Sequence, residues 1–239
     1  MRFLPAAGLA AALSAGCATP AGDLARWKTA STGFGSVSAG GDGTLAARTM
    51  ASTRTSETHA FLSLGPKLVA PFAYEARVVT DAQNRRNAPP NDWEAAWLVW
   101  SFTDRRHFYY FVAKPTGWEL GKRDPAFRGG QRFLADGKEP AFPLGKWAKI
   151  RVEQDEDSRM SVYADGKLVV TFTDVQRPYR AGRVGFYGED CEARLADVRA
   201  ASGEDQLQAG DDEDRGEEAA DRRGRQASAS QVRADRAAD

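Results

Sequence analysis

The chain has 239 residues, with 33 Lys and Arg balancing 33 Asp and Glu for a formal net charge of zero. The balance is uneven: from Ser202 to the end there are 11 acidic and 6 basic residues, leaving 22 acidic and 27 basic before it. So small a surplus, without a basic stripe, gives no case for nucleic-acid binding, and two cysteines, Cys17 and Cys191, exclude a disulfide framework or a cysteine zinc cluster.

The first residues, MRFLPAAGLAAALSAGCATPAG, read as an export signal: Arg2 is a minimal positive region, Phe3 to Ala15 is apolar, and small residues follow. The stretch is too short for a permanent membrane span. Its end, Leu13-Ser14-Ala15-Gly16-Cys17, resembles a bacterial lipoprotein signal, which implies acylation of Cys17 as the first mature residue. Ordinary cleavage near Ala18 is the alternative. Either route exports the chain to the periplasm or cell surface, and acylation adds a membrane partner. Residues 1–17 are thus a signal and 18–26 a linker.

From Trp27 the pattern is all-β. Strands are expected at 45–51, 59–64, 72–80, 94–103, 108–114 and 117–122, then at 131–135, 147–154, 159–164, 167–173, 183–189 and 193–199. Turn residues such as Gly41-Asp42-Gly43, Pro89-Pro90-Asn91-Asp92 and Asp165-Gly166 separate them. Many short strands so punctuated predict a sandwich or barrel.

The run from Trp93 to Lys122 differs from the rest because both strand faces are apolar or aromatic. One face fills a core and the other lines something. Trp97 and Trp100 fall on opposite faces, one for the core and the other for stacking on a sugar. Alternation puts Tyr110 and Lys114 on one face and His107, Tyr109 and Phe111 on the other. The charge on Lys114 marks its face as the open one, with Glu119 on the next strand within reach and Lys122 and Arg132 as further candidates. His107, after Asp104-Arg105-Arg106, also suits a plain turn. The loop RDPAFRGG, 123–130, either covers the groove or only connects strands. His59 is isolated and has no assigned role.

Further along, Asp165-Gly166 predicts a two-residue hairpin turn. It places Met160, Val162 and Ala164 on one face before it, and Leu168, Val170 and Phe172 on one face after it. Val184 and Phe186 alternate next, and Leu195 and Val198 close the domain near residue 201. Cys191 reads as a small buried residue near a strand start. Glu153, Asp155, Glu156 and Asp157 read as a turn. The tail, 202–239, has too few apolar residues to offset its ordering entropy and is expected to be disordered.

The progression Gly145-Lys146-Trp147, then Val162-Tyr163-Ala164-Asp165-Gly166-Lys167-Leu168, then Gly182-Arg183-Val184-Gly185-Phe186 resembles the concanavalin A-like, laminin-G-like jelly rolls. More narrowly it resembles the bacterial 3-keto-disaccharide hydrolase domain. The resemblance implies an all-β, two-sheet antiparallel jelly-roll sandwich over residues 27–201. It also implies cleavage of 3-keto-glycosides by elimination and hydration, with a base for the C2 hydrogen and a cation or metal at the enolate oxygen. Lys114, Glu119 and His107 are the catalytic candidates, and Trp97, Trp100, Tyr110, Lys122 and Arg132 the carbohydrate-binding ones. A divalent metal such as calcium is the one cofactor considered. The acidic triplet of family-16 glycoside hydrolases is missing. The alternative is a non-catalytic, lectin-like glycan-binding module.

Replacing Cys17 by Ala should abolish membrane association in a fractionation experiment; an unchanged membrane fraction would rule out the lipid anchor.

Overall fold

The computed structural model describes residues 24–203; the expected export signal, Cys17 and the acidic tail from residue 204 lie outside the described residues. The first strands are β1 (Lys28–Thr32), β2 (Ser36–Ala39), β3 (Leu45–Arg48), β4 (Ala60–Val69) and β5 (Phe72–Gln83). Next come β6 (Ala96–Asp104), β7 (His107–Lys114), β8 (Gly117–Arg123), β9 (Gln131–Gly137) and β10 (Ala148–Gln154). The last are β11 (Arg159–Ala164), β12 (Lys167–Thr173), β13 (Ala181–Glu189) and β14 (Cys191–Ser202).

They form two antiparallel seven-stranded sheets in a jelly-roll sandwich. The front sheet runs β1-β4-β13-β6-β7-β8-β9 and the back sheet β12-β11-β10-β5-β14-β3-β2. The core lies between them. Leu98, Trp100, Tyr109, Phe111 and Leu120 of the front sheet meet Tyr74, Ile150, Val152, Val162 and Leu195 of the back sheet. Each set occupies alternate positions, as a strand with one face on the core requires.

All twelve expected strands are present, with β4, β5 and β14 longer than expected. Two edge strands, β1 and β2, were not foreseen. Their sequences, KTAST and SVSA, are small, polar and mostly exposed, so they carry no apolar alternation. They are strands because β4 and β3 offer them backbone partners. Between them Gly33 and Phe34 both take positive φ, 61° and 59°, which turns the chain tightly. The last three linker residues, Leu24–Arg26, form a 3-10 turn, and Leu24 joins the core.

The Asp165-Gly166 hairpin turns as expected, with φ of 48° and 76°. Leu168 does not join the inward set. Val162 pairs with Val170 but Tyr163 pairs with Leu168, so Val169 is an extra residue. The bulge turns Leu168 to the outward face with Tyr163, 58% exposed. A second bulge, in β14 at Asp197 (φ 51°), lets Leu195 and Val198 both reach the core although they are three residues apart. Glu153 lies within β10, its carboxylate against Arg151 at 2.8 Å, and only the acids after it form the turn. Cys191 is fully buried at the start of β14.

Leu120→Ala should cost about 2–5 kcal/mol by cavity formation, whereas Leu168→Ala should stay within about 0.5 kcal/mol. Denaturant unfolding of both variants checks the register, and equal losses would contradict the bulge.

Candidate functional site

A second apolar cluster lies on the outer face of the front sheet. Leu62, Ala95, Trp97, Val99, Phe108, Tyr110 and Val112 are buried there although no sheet covers them. The strand alternation that sends Trp100 and Tyr109 inward sends Trp97 and Tyr110 outward. A bulge between Trp100 and Asp104, with Ser101 at φ 49°, brings Phe102 to the same face as Val99. The Trp97 ring centroid is 4.8 Å from Tyr110 and 4.9 Å from Tyr187, spacings typical of tilted aromatic pairs.

Two adjoining recesses open over this floor. One, of about 320 Å³, lies over Trp97, Val99 and Tyr187 and is bordered by Arg105, Arg123, Gln131 and Glu189. The other, of about 330 Å³, is lined by Trp93, Trp97, Phe133, Glu119, Gln131 and Glu189. Trp93 and Phe133 stand 43% and 66% exposed.

Polar side chains are tied together beside the floor. Tyr110 Oη donates to Glu119 Oε1 at 2.9 Å and accepts from Gln131 Nε2 at 2.6 Å. Lys114 Nζ donates to Glu119 Oε2 at 2.6 Å. Gly121, paired with Tyr110 across the ladder, leaves space for the phenol; a Cβ there would stand 2.2 Å from Tyr110 Oη. Burial pushes the Tyr110 phenol up, and the Glu119 carboxylate adds to that. Tyr187 donates its hydroxyl to Glu189 Oε1. Burial holds the Glu189 carboxyl above its ordinary value of 4.5, against the Tyr187 hydrogen bond that lowers it.

The structure therefore brings Trp97, Tyr110, Lys114 and Glu119 together on one open face. Trp100 is not on it: fully buried, it stacks on Tyr109 at 5.8 Å between the sheets and has no surface for a sugar. Lys122 pairs with Tyr109, so it points inward and is fully buried. Its ammonium donates to Asp174 Oδ2 at 2.7 Å and to the carbonyls of Gln176 and Arg177 at 2.7 and 3.1 Å. Arg132 stands against the same Asp174 at 3.2 Å, also away from the recess. His107 sits at the far strand end, Nδ1 2.9 Å from Asp104, its ring edge toward Tyr179. Of the 123–130 segment, Arg123, the last residue of β8, borders the recess, whereas Phe127 packs on Lys122 and Arg132.

Tyr187, Glu189, Arg123, Gln131, Trp93 and Phe133 were not singled out from the sequence. Tyr187 and Glu189 alternate with core-facing Phe186, which was a usable signal; Arg123 had been assigned to the loop. Among the described residues no group of three or more His, Cys, Asp or Glu is placed to hold a metal ion.

No protein-family model and no curated protein matches the chain. Solved structures do. The carbohydrate-binding module CBM66 from Bacillus subtilis aligns over 74% of this chain and 95% of its own, with TM-score 0.53 and 18% identity. The Emp47p carbohydrate recognition domain aligns over 74% and 89%, with TM-score 0.47 and 13% identity. A human galectin-16 variant aligns over 58% and 95%, with TM-score 0.42 and 13% identity. At 18% identity the first likeness is one of fold: the two-sheet jelly-roll sandwich.

Because Glu189 binds its proton more tightly folded than unfolded, the folded chain holds more protons between the two pKa values, and stability falls as pH rises through the folded one. Glu189→Gln removes that loss. Its melting temperature relative to the parent should climb as pH goes from about 4 to about 7; a difference that stays flat would refute the shifted carboxyl.

Proposed function

We propose that the outer face of the front sheet binds a glycan and that the chain is a glycan-binding module rather than a glycosidase. The observation that carries this is the pair of exposed aromatics, Trp93 and Phe133, lining a recess floored by Trp97 with the amide of Gln131 and the carboxyl of Glu189 beside them. Sugar rings offer C–H faces that pack on aromatic surfaces, and their hydroxyls need planar polar partners placed among those rings. The likeness of fold to a carbohydrate-binding module supports the same reading. With residues 1–17 directing export and Cys17 acylated, the module would stand at the cell envelope.

The motif resemblance to 3-keto-disaccharide hydrolases keeps a catalytic reading second. The Lys114–Glu119 pair supplies a carboxylate for the C2 proton beside a cation for the enolate oxygen. Both Glu119 oxygens already accept hydrogen bonds, from Tyr110 and Lys114, which leaves the carboxylate committed to its neighbours.

On the full chain, Trp93→Ala and Phe133→Ala should each weaken binding of the glycan selected on an array by roughly tenfold, about 1.4 kcal/mol. The melting temperature should be unchanged, since both side chains are on the surface. Parent-like affinity in both variants would defeat the stacking reading. Release of 3-keto-glucose from a 3-keto-disaccharide, lost in Glu119→Gln, would establish the enzyme instead; none above the buffer rate is expected.

A further inference from the structure

Two guanidinium groups, those of Arg105 and Arg123, border the recess over Trp97, Val99 and Tyr187. Arg105 is exposed between β6 and β7, and its one hydrogen bond is a long one, 3.5 Å to the Ala30 carbonyl. Arg123, half-buried at the end of β8, reaches only Gln131 Oε1, also at 3.5 Å. Among the described residues neither has a carboxylate within ion-pair distance. Arg85, Arg132 and Arg151, which are buried or half-buried, each lie against one. Arg123 lines the same recess as Trp97, Val99, Tyr187 and Glu189.

The acids on this face are already engaged. Glu119 takes the hydrogen bonds of Tyr110 and Lys114, and Glu189 takes that of Tyr187. A guanidinium that has lost part of its hydration gains most from a partner that restores charge and hydrogen bonds together. Its planar fork matches the two oxygens of a carboxylate.

We propose that the glycan bound on this face is acidic: a uronic-acid-containing saccharide whose carboxylate is received by Arg123 and Arg105 while its ring lies on the aromatic floor. This rests on the glycan-binding reading and narrows it to a ligand class.

The test titrates the full chain with an oligogalacturonate, with the methyl ester of the same oligomer, and with a sulfated oligosaccharide of a neutral sugar. The acid should bind about tenfold more tightly than its ester, with an advantage that shrinks as salt is added. Arg123→Gln and Arg105→Gln should each bring that ratio toward one; Arg105 is exposed, so its variant serves even if Arg123→Gln folds poorly. Equal affinity for acid and ester, or a ratio unchanged in the double variant, would overturn the proposal and leave neutral-glycan binding standing. Tighter binding of the sulfated probe than of the uronate would overturn the carboxylate assignment. If none of these binds and an array of neutral glycans is also blank, the glycan-binding reading falls with it.

Discussion

Neighbouring side chains on a strand point to opposite faces, so packing one face of β6, β7 and β8 between the sheets dictates what the other presents. Trp100, Tyr109, Phe111 and Leu120 are buried against the back sheet. With those positions taken, Trp97, Tyr110 and Glu119 have to project outward. A slip of one residue would exchange the two faces of the strand that slipped, placing Lys114 in the core if β7 moved and Glu119 if β8 did. The loss of inter-sheet packing would far exceed any gain outside. The register of the recess is thus held by side chains that never touch its contents.

Both ends of this sheet are closed by buried charge. At one end Lys122 reaches from β8 to Asp174 of the segment after β12, with Tyr109 donating to the same carboxylate at 2.7 Å. Burial raises the Asp174 carboxyl, but the hydrogen bonds from Lys122 and Tyr109 outweigh it and hold it low. At the other end Arg85 joins Asp190 and Glu94 and donates to the carbonyls of Arg54 and Glu57. Asp190 also accepts from Ser52 and from the His59 amide, so the isolated histidine of the sequence belongs to this closure. Buried pairs of this kind add little net stability, but removing one partner strands the other charge. Asp190 follows Glu189 directly, so the closure sets where that carboxyl enters the recess.

What results is a face with divided character. Exposed aromatics and a buried indole supply area, a committed Lys114–Glu119–Tyr110 group supplies rigidity, and two arginines have, among the described residues, only long hydrogen bonds to neutral oxygens. Rigid aromatic platforms cost little conformational entropy when a ligand settles on them. Such a surface suits recognition better than turnover, since its strongest acid–base pair is already satisfied internally.

The sequence by itself determined an all-β sandwich or barrel, twelve of the fourteen described strands and the presence of a second aromatic face, because alternation, turn residues and apolar period are local properties of the chain; the two-sheet jelly roll was implied by the motif resemblance. It also placed Tyr110, Lys114 and Glu119 on one open face, from the rule that a charge does not point into a core. It could not choose between Trp97 and Trp100, since alternation separates them without saying which face meets the other sheet. Lys122 broke the charge rule itself: its partner, Asp174, lies 52 residues away and becomes a neighbour only when the sheets close. Phe102, Leu168 and Val198 changed faces through bulges that depend on cross-strand register. That Arg123 meets a neutral amide rather than a carboxylate among the described residues was likewise invisible, because whether a charge has an ionic partner is decided by every strand that packs around it and not by its place in the chain.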